Sequence, residues 1–267
     1  TLRVLVSRSE SVLICPPTFG MYRFVAEVNG APVTAVERRE DFSIDVEAVR
    51  AAVTERTALI IVASPNNPTG NVLSAEELSA LLATGATVVV DEAYGEFAGS
   101  SFIGQMGEQA RLVVLRTFSK WAGLAGLRVG FGVFPPSVAE VLLRIKQPYN
   151  VNRAAEAAAL SALAQPAELE QQVRTIAAAR DELSAQLSDL GWLRPYPSAA
   201  NFLLCEVQGG AAPALQEALA RRGVFVRHFS TPRLEGCLRI SVPRPDQTPS
   251  LLERLRAAGA ELGLERG

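Results

Sequence analysis

An α/β fold, with a mostly parallel sheet flanked by helices and a smaller α+β domain after it, is what this sequence predicts, on three observations. Short β-branched runs alternate with segments of helical period through the first half, the pattern of strands joined by helical crossovers. Residues 152–190 are then Ala- and Leu-rich and read as helix throughout. After Gly191 the pattern restarts as strand, strand, helix, strand, strand, helix, a unit able to close its own core. With 267 residues, 48% of them apolar, the chain is long enough to bury both cores. We therefore expect a large domain over residues 1–165 and a small C-terminal domain over residues 166–267.

Taken in order, strands are predicted at residues 3–6, 12–15, 33–36, 58–62, 87–90, 112–115 and 129–134. Residues 45–55 read as a helix, and Ser74 opens another with Glu77 at the reciprocal capping-box position. Pro166 is expected to start a new helix rather than sit inside one. In the small domain, strands are predicted at 192–196, 201–207, 224–229 and 238–242, and helices at 212–222 and 248–262. One link is anomalous. If residues 3–6 and 12–15 are parallel neighbours, the few residues around Ser9–Ser11 cannot join them, because a parallel crossover takes about a dozen. The expectation is either a tight antiparallel hairpin or a segment missing near residues 9–11.

Bulk properties remove several function classes. A net charge of −2 and a pI near 5.7 provide no basic field for nucleic acid or an anionic membrane. Cys15, Cys205 and Cys237 are scattered without a CxxC pair, which argues against a disulfide framework and for a reducing, cytoplasmic setting. A single histidine, His228, supports neither a metal site nor a Ser/His/Asp triad. No run reaches the roughly 18 apolar residues of a membrane span, and the N-terminus does not read as a signal peptide.

Three motifs carry chemistry. TFSKWAGLAGLRVGF, residues 117–131, contains Lys120, one of two lysines against 24 arginines. An amine can condense with a carbonyl to form an imine, which a permanently protonated guanidinium cannot do. Thr117 and Ser119 add hydroxyl donors and Arg128 a planar fork suited to phosphate, so the set suits an aldehyde cofactor bearing a phosphate, such as pyridoxal phosphate. A surface loop lysine is the plain alternative. SPNNPTG, residues 64–70, follows a buried strand at the sheet edge where ligands bind in open α/β folds, and Asn67 could donate its amide there. VVVDEAYGEF, residues 88–97, places Asp91 directly after an apolar run. A carboxylate in that position needs a cation, solvent or a ligand donor such as a pyridinium N–H, and helix capping is the alternative. Tyr94 lies three residues on, either as a core tyrosine or with its hydroxyl on a ligand oxygen.

In this order the three motifs resemble the pyridoxal-phosphate aminotransferases of the aspartate-aminotransferase fold. The resemblance implies that Lys120 forms the imine and shuttles a proton, and that Asp91 pairs with the pyridine nitrogen. Asn67 and Tyr94 would bond the phenolic oxygen, while Ser119 and Arg128, with Thr117 beside them, would receive the phosphate. CPPTFGMY, PYNVN and VRHFSTPRLEGCLRISV are similar to the histidinol-phosphate aminotransferases in particular. That implies ring stacking by Phe19, where tyrosine is common, and recognition of the substrate phosphate, or of the glutamate carboxylate, by Arg227 and Arg239. Surface arginines beside a strand are the alternative for that pair. The implied activity is ping-pong transamination between histidinol phosphate and 2-oxoglutarate in histidine biosynthesis, by a cytoplasmic homodimer. A threonine-phosphate decarboxylase-like enzyme is the second reading, and a catalytically silent or dimerisation module the third. Relative to that family, the chain is expected to lack the N-terminal arm and, near residues 9–11, a turn and helix that support the cofactor phosphate.

Overall fold

Apolar runs with a period-2 burial pattern on both faces must be covered on both faces, and helices do this here. The computed structural model describes residues 2–7, 9–107 and 110–264. The first half contains α1 (Leu2–Leu5), β1 (Ser11–Ile14), α2 (Met21–Val28), β2 (Val33–Ala35), α3 (Val46–Ala52), β3 (Thr57–Ala63), α4 (Ala75–Leu82), β4 (Thr87–Asp91), α5 (Gly95–Ala98), β5 (Leu112–Thr117) and β6 (Gly130–Val133). The sheet order is β2-β1-β3-β4-β5-β6, parallel except for β6, which runs antiparallel to β5. Leu13, Ile60, Val62, Val88 and Val90 point to one face, where Val49 of α3 and Leu78 and Leu81 of α4 cover them. Val12, Ile14, Leu59, Ile61 and Val89 point to the other, against Ala26 of α2.

Local signals set several boundaries as expected. Ser74 Oγ accepts from the Glu77 N–H at 3.1 Å while Glu77 Oε2 accepts from the Ser74 N–H at 2.8 Å, the predicted capping box. Asp45 caps α3 by accepting from the Ala48 N–H at 3.0 Å. Then come α6 (Pro136–Ile145), α7 (Arg153–Ala164) and α8 (Pro166–Ser188), with Pro166 in the first turn of α8. The antiparallel sheet of the C-terminal part has the order β7-β8-β10-β9, from β7 (Leu193–Pro195), β8 (Phe202–Val207), β9 (Arg227–His228) and β10 (Cys237–Ser241). With α9 (Ala212–Arg221), α10 (Thr248–Glu261) and the end of α8 it encloses Trp192, Leu203, Leu215, Leu238 and Leu255.

Two expectations are corrected. Residues 3–6 are not a strand: Leu2–Leu5 is helical. A turn follows it, in which the Glu10 N–H donates to Ser7 O at 3.2 Å and the Ser7 N–H to Glu10 Oε2 at 2.8 Å. Among the described residues no strand precedes β1, so the strand pair from which a hairpin or a segment missing near residues 9–11 was expected is not formed. The strand expected at 224–229 is confined to Arg227–His228, an edge pairing with β10 alone. Helices α2 and α6 were not anticipated. Residues 265–267 of the expected small domain lie outside the described residues.

Candidate active site

From β1 the chain steps outward to β2, and from β3 onward it builds on the other side of β1. Such a reversal opens a crevice beyond the carboxyl ends of the strands, and the loops leaving β1, β3, β4 and β5 carry the candidate residues.

The loop after β1 ends in Phe19, whose exposed ring meets Tyr22 edge-on at 5.7 Å. Tyr22, on α2, donates its hydroxyl to Asp91 Oδ2 at 2.7 Å. The other oxygen of Asp91 accepts from the Ala93 N–H at 3.0 Å. Burial pushes the Asp91 carboxyl above its ordinary value; these two hydrogen bonds pull it back, and neighbouring Glu92 pushes it up again. Burial, then the charge of Asp91, holds the Tyr22 phenol well above its ordinary range, so Tyr22 stays a donor.

The loop after β3 is tied to the loop after β1 by Asn66, which is fully buried. Its amide nitrogen donates to Pro17 O at 2.9 Å and to Thr69 Oγ1 at 2.7 Å, and its oxygen accepts from Thr18 Oγ1 at 2.7 Å. Asn67 therefore projects from a braced loop. After β5, Thr117 Oγ1 donates to Ser119 Oγ at 2.9 Å, and Arg128 Nη1 reaches Ser119 Oγ at 3.5 Å and Ala125 O at 2.9 Å. Arg128 adopts a left-handed backbone, φ 56° and ψ 46°, at the end of a short 3₁₀ turn. Lys120 is exposed, with Nζ 5.4 Å from the centre of the Tyr94 ring.

The remaining groups come from the antiparallel sheet. Arg239 of β10 donates from Nη1 to Asn67 Oδ1 at 2.6 Å, and its guanidinium carbon lies 5.0 Å over the Phe202 ring. Phe202 in turn meets Tyr94 edge-on at 5.1 Å. Arg239 Nε is buried without a hydrogen-bond partner. Burial lowers the pKa of this guanidinium, Tyr94 raises it and Arg227 lowers it again. Arg227 stands opposite Arg239 in register, exposed, over Phe229 at 5.6 Å.

Lys120, Tyr94, Asn67 and Arg239 are thus linked contact by contact, as are Phe19, Tyr22 and Asp91, and Thr117, Ser119 and Arg128. Arg227 joins only through its strand pairing with Arg239. The sequence reading missed Tyr22 and Asn66. Their signals were present: an aromatic one helical turn after Phe19, and a second asparagine inside SPNNPTG. An amine, a half-buried carboxylate, a hydroxyl pair beside a guanidinium and a half-buried guanidinium with an unused N–H are the groups that an aldehyde bearing a phosphate and a ring nitrogen requires. The residues present therefore fit pyridoxal phosphate.

Comparison with known proteins agrees with this geometry. The model of the family aminotransferase class I and II matches residues 1–257. The histidinol-phosphate aminotransferase of Dehalococcoides mccartyi is 46% identical over 258 residues, covering 97% of this chain and 72% of that protein. The crystal structure of histidinol-phosphate aminotransferase from Sinorhizobium meliloti in complex with pyridoxal-5'-phosphate superposes with a TM-score of 0.89 at 28% identity, covering 98% of this chain and 73% of that one. The L-threonine-O-3-phosphate decarboxylase of Porphyromonas gingivalis superposes at 0.81 with 25% identity, covering 95% and 78%.

Proposed function

We propose, from the premise that this chain belongs to the class I and II aminotransferases, that it transfers an amino group between histidinol phosphate and 2-oxoglutarate with pyridoxal phosphate as cofactor. One observation carries the substrate half of this reading. Arg239, with a buried N–H that has no partner, bonds Asn67 directly, so an anion-seeking guanidinium borders the loops that would hold the cofactor. The 46% identity to a histidinol-phosphate aminotransferase over 97% of the chain favours transamination over decarboxylation.

When bound, pyridoxal phosphate supplies an aldehyde for the amine and a ring that accepts electrons from the substrate carbon. Lys120 would supply that amine and, as a free amine, would take a proton from the substrate carbon and return one in the opposite half-reaction. Asp91, fixed by Tyr22 and the Ala93 N–H, would in its ionised form hold a proton at the ring nitrogen. Asn67 and Tyr94 would bond the ring oxygen, and Phe19 would stack on the ring. Thr117, Ser119 and Arg128 take the cofactor phosphate by charge-assisted bonds. Arg239 and Arg227 take the phosphate of histidinol phosphate, or the carboxylate of glutamate in the second half.

Within this reading, residues 1–165 supply the cofactor site and residues 166–267 the substrate arginines. The protein is a cytoplasmic homodimer, in which Phe131, Leu143, Ile145 and Leu160, exposed in the single chain, are covered. Sedimentation tests the dimer. The central experiment adds pyridoxal phosphate, reduces one portion with borohydride to map the modified peptide, and on a second, unreduced portion follows products from histidinol phosphate and 2-oxoglutarate. Label on Lys120 with glutamate formed is the expected result. Carbon dioxide release from L-threonine O-3-phosphate in a parallel assay would point to a decarboxylase, and no label to a silent module.

A further inference from the structure

Behind the site lies a buried cluster that none of the roles above uses. Arg116 is the penultimate residue of β5, four before Lys120. Its Nε donates to Glu92 Oε2 at 2.8 Å and its Nη1 to Glu96 Oε1 at 2.7 Å. The side chains of Arg116, Glu92 and Glu96 are 11%, 2% and 18% exposed. Glu92 also accepts from the Phe102 N–H at 2.7 Å and from Ser101 Oγ at 2.7 Å, so its carboxylate is held from three sides. The guanidinium lies over Gly95, where a Cβ would stand 3.2 Å from Arg116 Cζ and 3.1 Å from Glu92 Cβ.

A buried ion pair is weak evidence for stability, since apolar residues of the same volume often serve as well. What an apolar plug lacks is direction. A planar fork on β5 bonded to two carboxylates of the turn after β4 fixes the relative position of those two backbone segments. The two backbones are those that matter for the chemistry. Glu92 follows Asp91, Tyr94 lies between Glu92 and Glu96, and Arg116 leads into Thr117, Ser119 and Lys120. We propose that Arg116 is a positioning residue, which holds the turn bearing Asp91 and Tyr94 at a set distance from the strand end bearing Lys120. The inference rests on the proposed function, because it concerns the same site.

The test uses the pyridoxal-phosphate-loaded protein with histidinol phosphate and 2-oxoglutarate. Arg116→Met should lower kcat by about tenfold to a hundredfold, the range for an ångström-scale misplacement of reacting groups. KM for histidinol phosphate should stay near that of the unmodified protein, since Arg239 and Arg227 are untouched. Borohydride fixation on Lys120 should slow. Arg116→Lys, which can pair with one carboxylate but cannot fork, should recover part of kcat. Leu215→Ala, in the other core, controls for lost stability and should leave kcat per bound cofactor unchanged. An Arg116→Met protein with unmodified kcat, or a Leu215→Ala protein with an equal loss, overturns the proposal. Should Arg116→Met not fold, Glu96→Gln removes one arm only, and unaltered kcat in that variant overturns it as well. Failure of the unmodified protein to label Lys120 would instead sink the functional reading, so the two failures are distinguishable.

Discussion

At Asp91 the demands of folding and of chemistry oppose each other. Burial raises its carboxyl pKa above the ordinary value more than Tyr22 and the Ala93 N–H lower it. In the window between the unfolded and the raised folded value, the folded chain binds more protons than the unfolded one. Stability therefore falls as pH rises through that window and stays lower at neutral pH. Asp91→Asn keeps a hydrogen-bond acceptor for Tyr22 and removes the charge. We expect the cofactor-free variant to melt above the unmodified protein at pH 7, with the gap closing below about pH 4, where the carboxyl is protonated in both states. Turnover should fall on the order of a hundredfold, the scale of losing one preorganised electrostatic contact. Calorimetry across pH and steady-state assays check the two halves, and an unchanged turnover would remove the role given to Asp91. At Lys120 the expectation is categorical: Lys120→Ala should lose borohydride fixation, while Lys146→Ala, altering an exposed residue at the end of α6, should keep it. Peptide mapping decides between them. The chemistry of these two positions was legible in the sequence, because one of only two lysines among 24 arginines and a carboxylate ending an apolar run are odd in themselves. Tyr22 was not, because its role exists only through a hydrogen bond to a residue 69 positions away.

Among the elements, the loop after β3 shows what local pattern can and cannot reveal. Gly70 has φ +80°, and a Cβ there would lie 2.3 Å from Ser198 Oγ. Ser198 cannot simply yield, since its Oγ holds Phe202 O at 2.7 Å and the next residue's N–H bonds Gly70 O at 2.8 Å. Gly70→Ala should therefore combine a left-handed backbone penalty of about 1–2 kcal/mol with displacement of that contact. A clear drop in the thermal midpoint is expected, and a midpoint equal to that of the unmodified protein would show that the loops part freely. That SPNNPTG is a turn was readable from composition; that its last glycine abuts a loop of the other sheet was not. The misread start of the chain has a different cause. Residues 4–6, Val-Leu-Val, form an apolar run too short to separate a period of 2 from one of 3.6. Tertiary context decides such runs, and here it makes a helical turn. Helix α2 was overlooked because its sequence, MYRFVAEV, was read only as part of the motif that ends in Tyr22.

Across the whole molecule, neither sheet holds a complete site. The parallel sheet presents Lys120, Asp91 and the phosphate-seeking group, while Arg239 enters from the antiparallel sheet and is anchored on Asn67. Strand alternation in the sequence revealed both sheets, and the resemblance supplied the roles, but the direct Arg239–Asn67 bond joins residues 172 positions apart and needed coordinates. The substrate end is separable from the cofactor end because the groups that seek the cofactor phosphate lie on other residues. A charge-assisted hydrogen bond contributes about 1.5–3 kcal/mol, so losing the guanidinium should raise KM for histidinol phosphate about tenfold to a hundredfold. Arg239→Ala should do this while affinity for pyridoxal phosphate changes little, because Thr117, Ser119 and Arg128 remain. Arg239→Lys keeps the charge without the fork and should fall between the two. Histidinol, which has no phosphate, provides the internal control: its poorer KM should be nearly the same in the unmodified and Ala proteins. Equal KM values for histidinol and histidinol phosphate in the unmodified protein would mean that Arg239 recognises something other than the substrate phosphate.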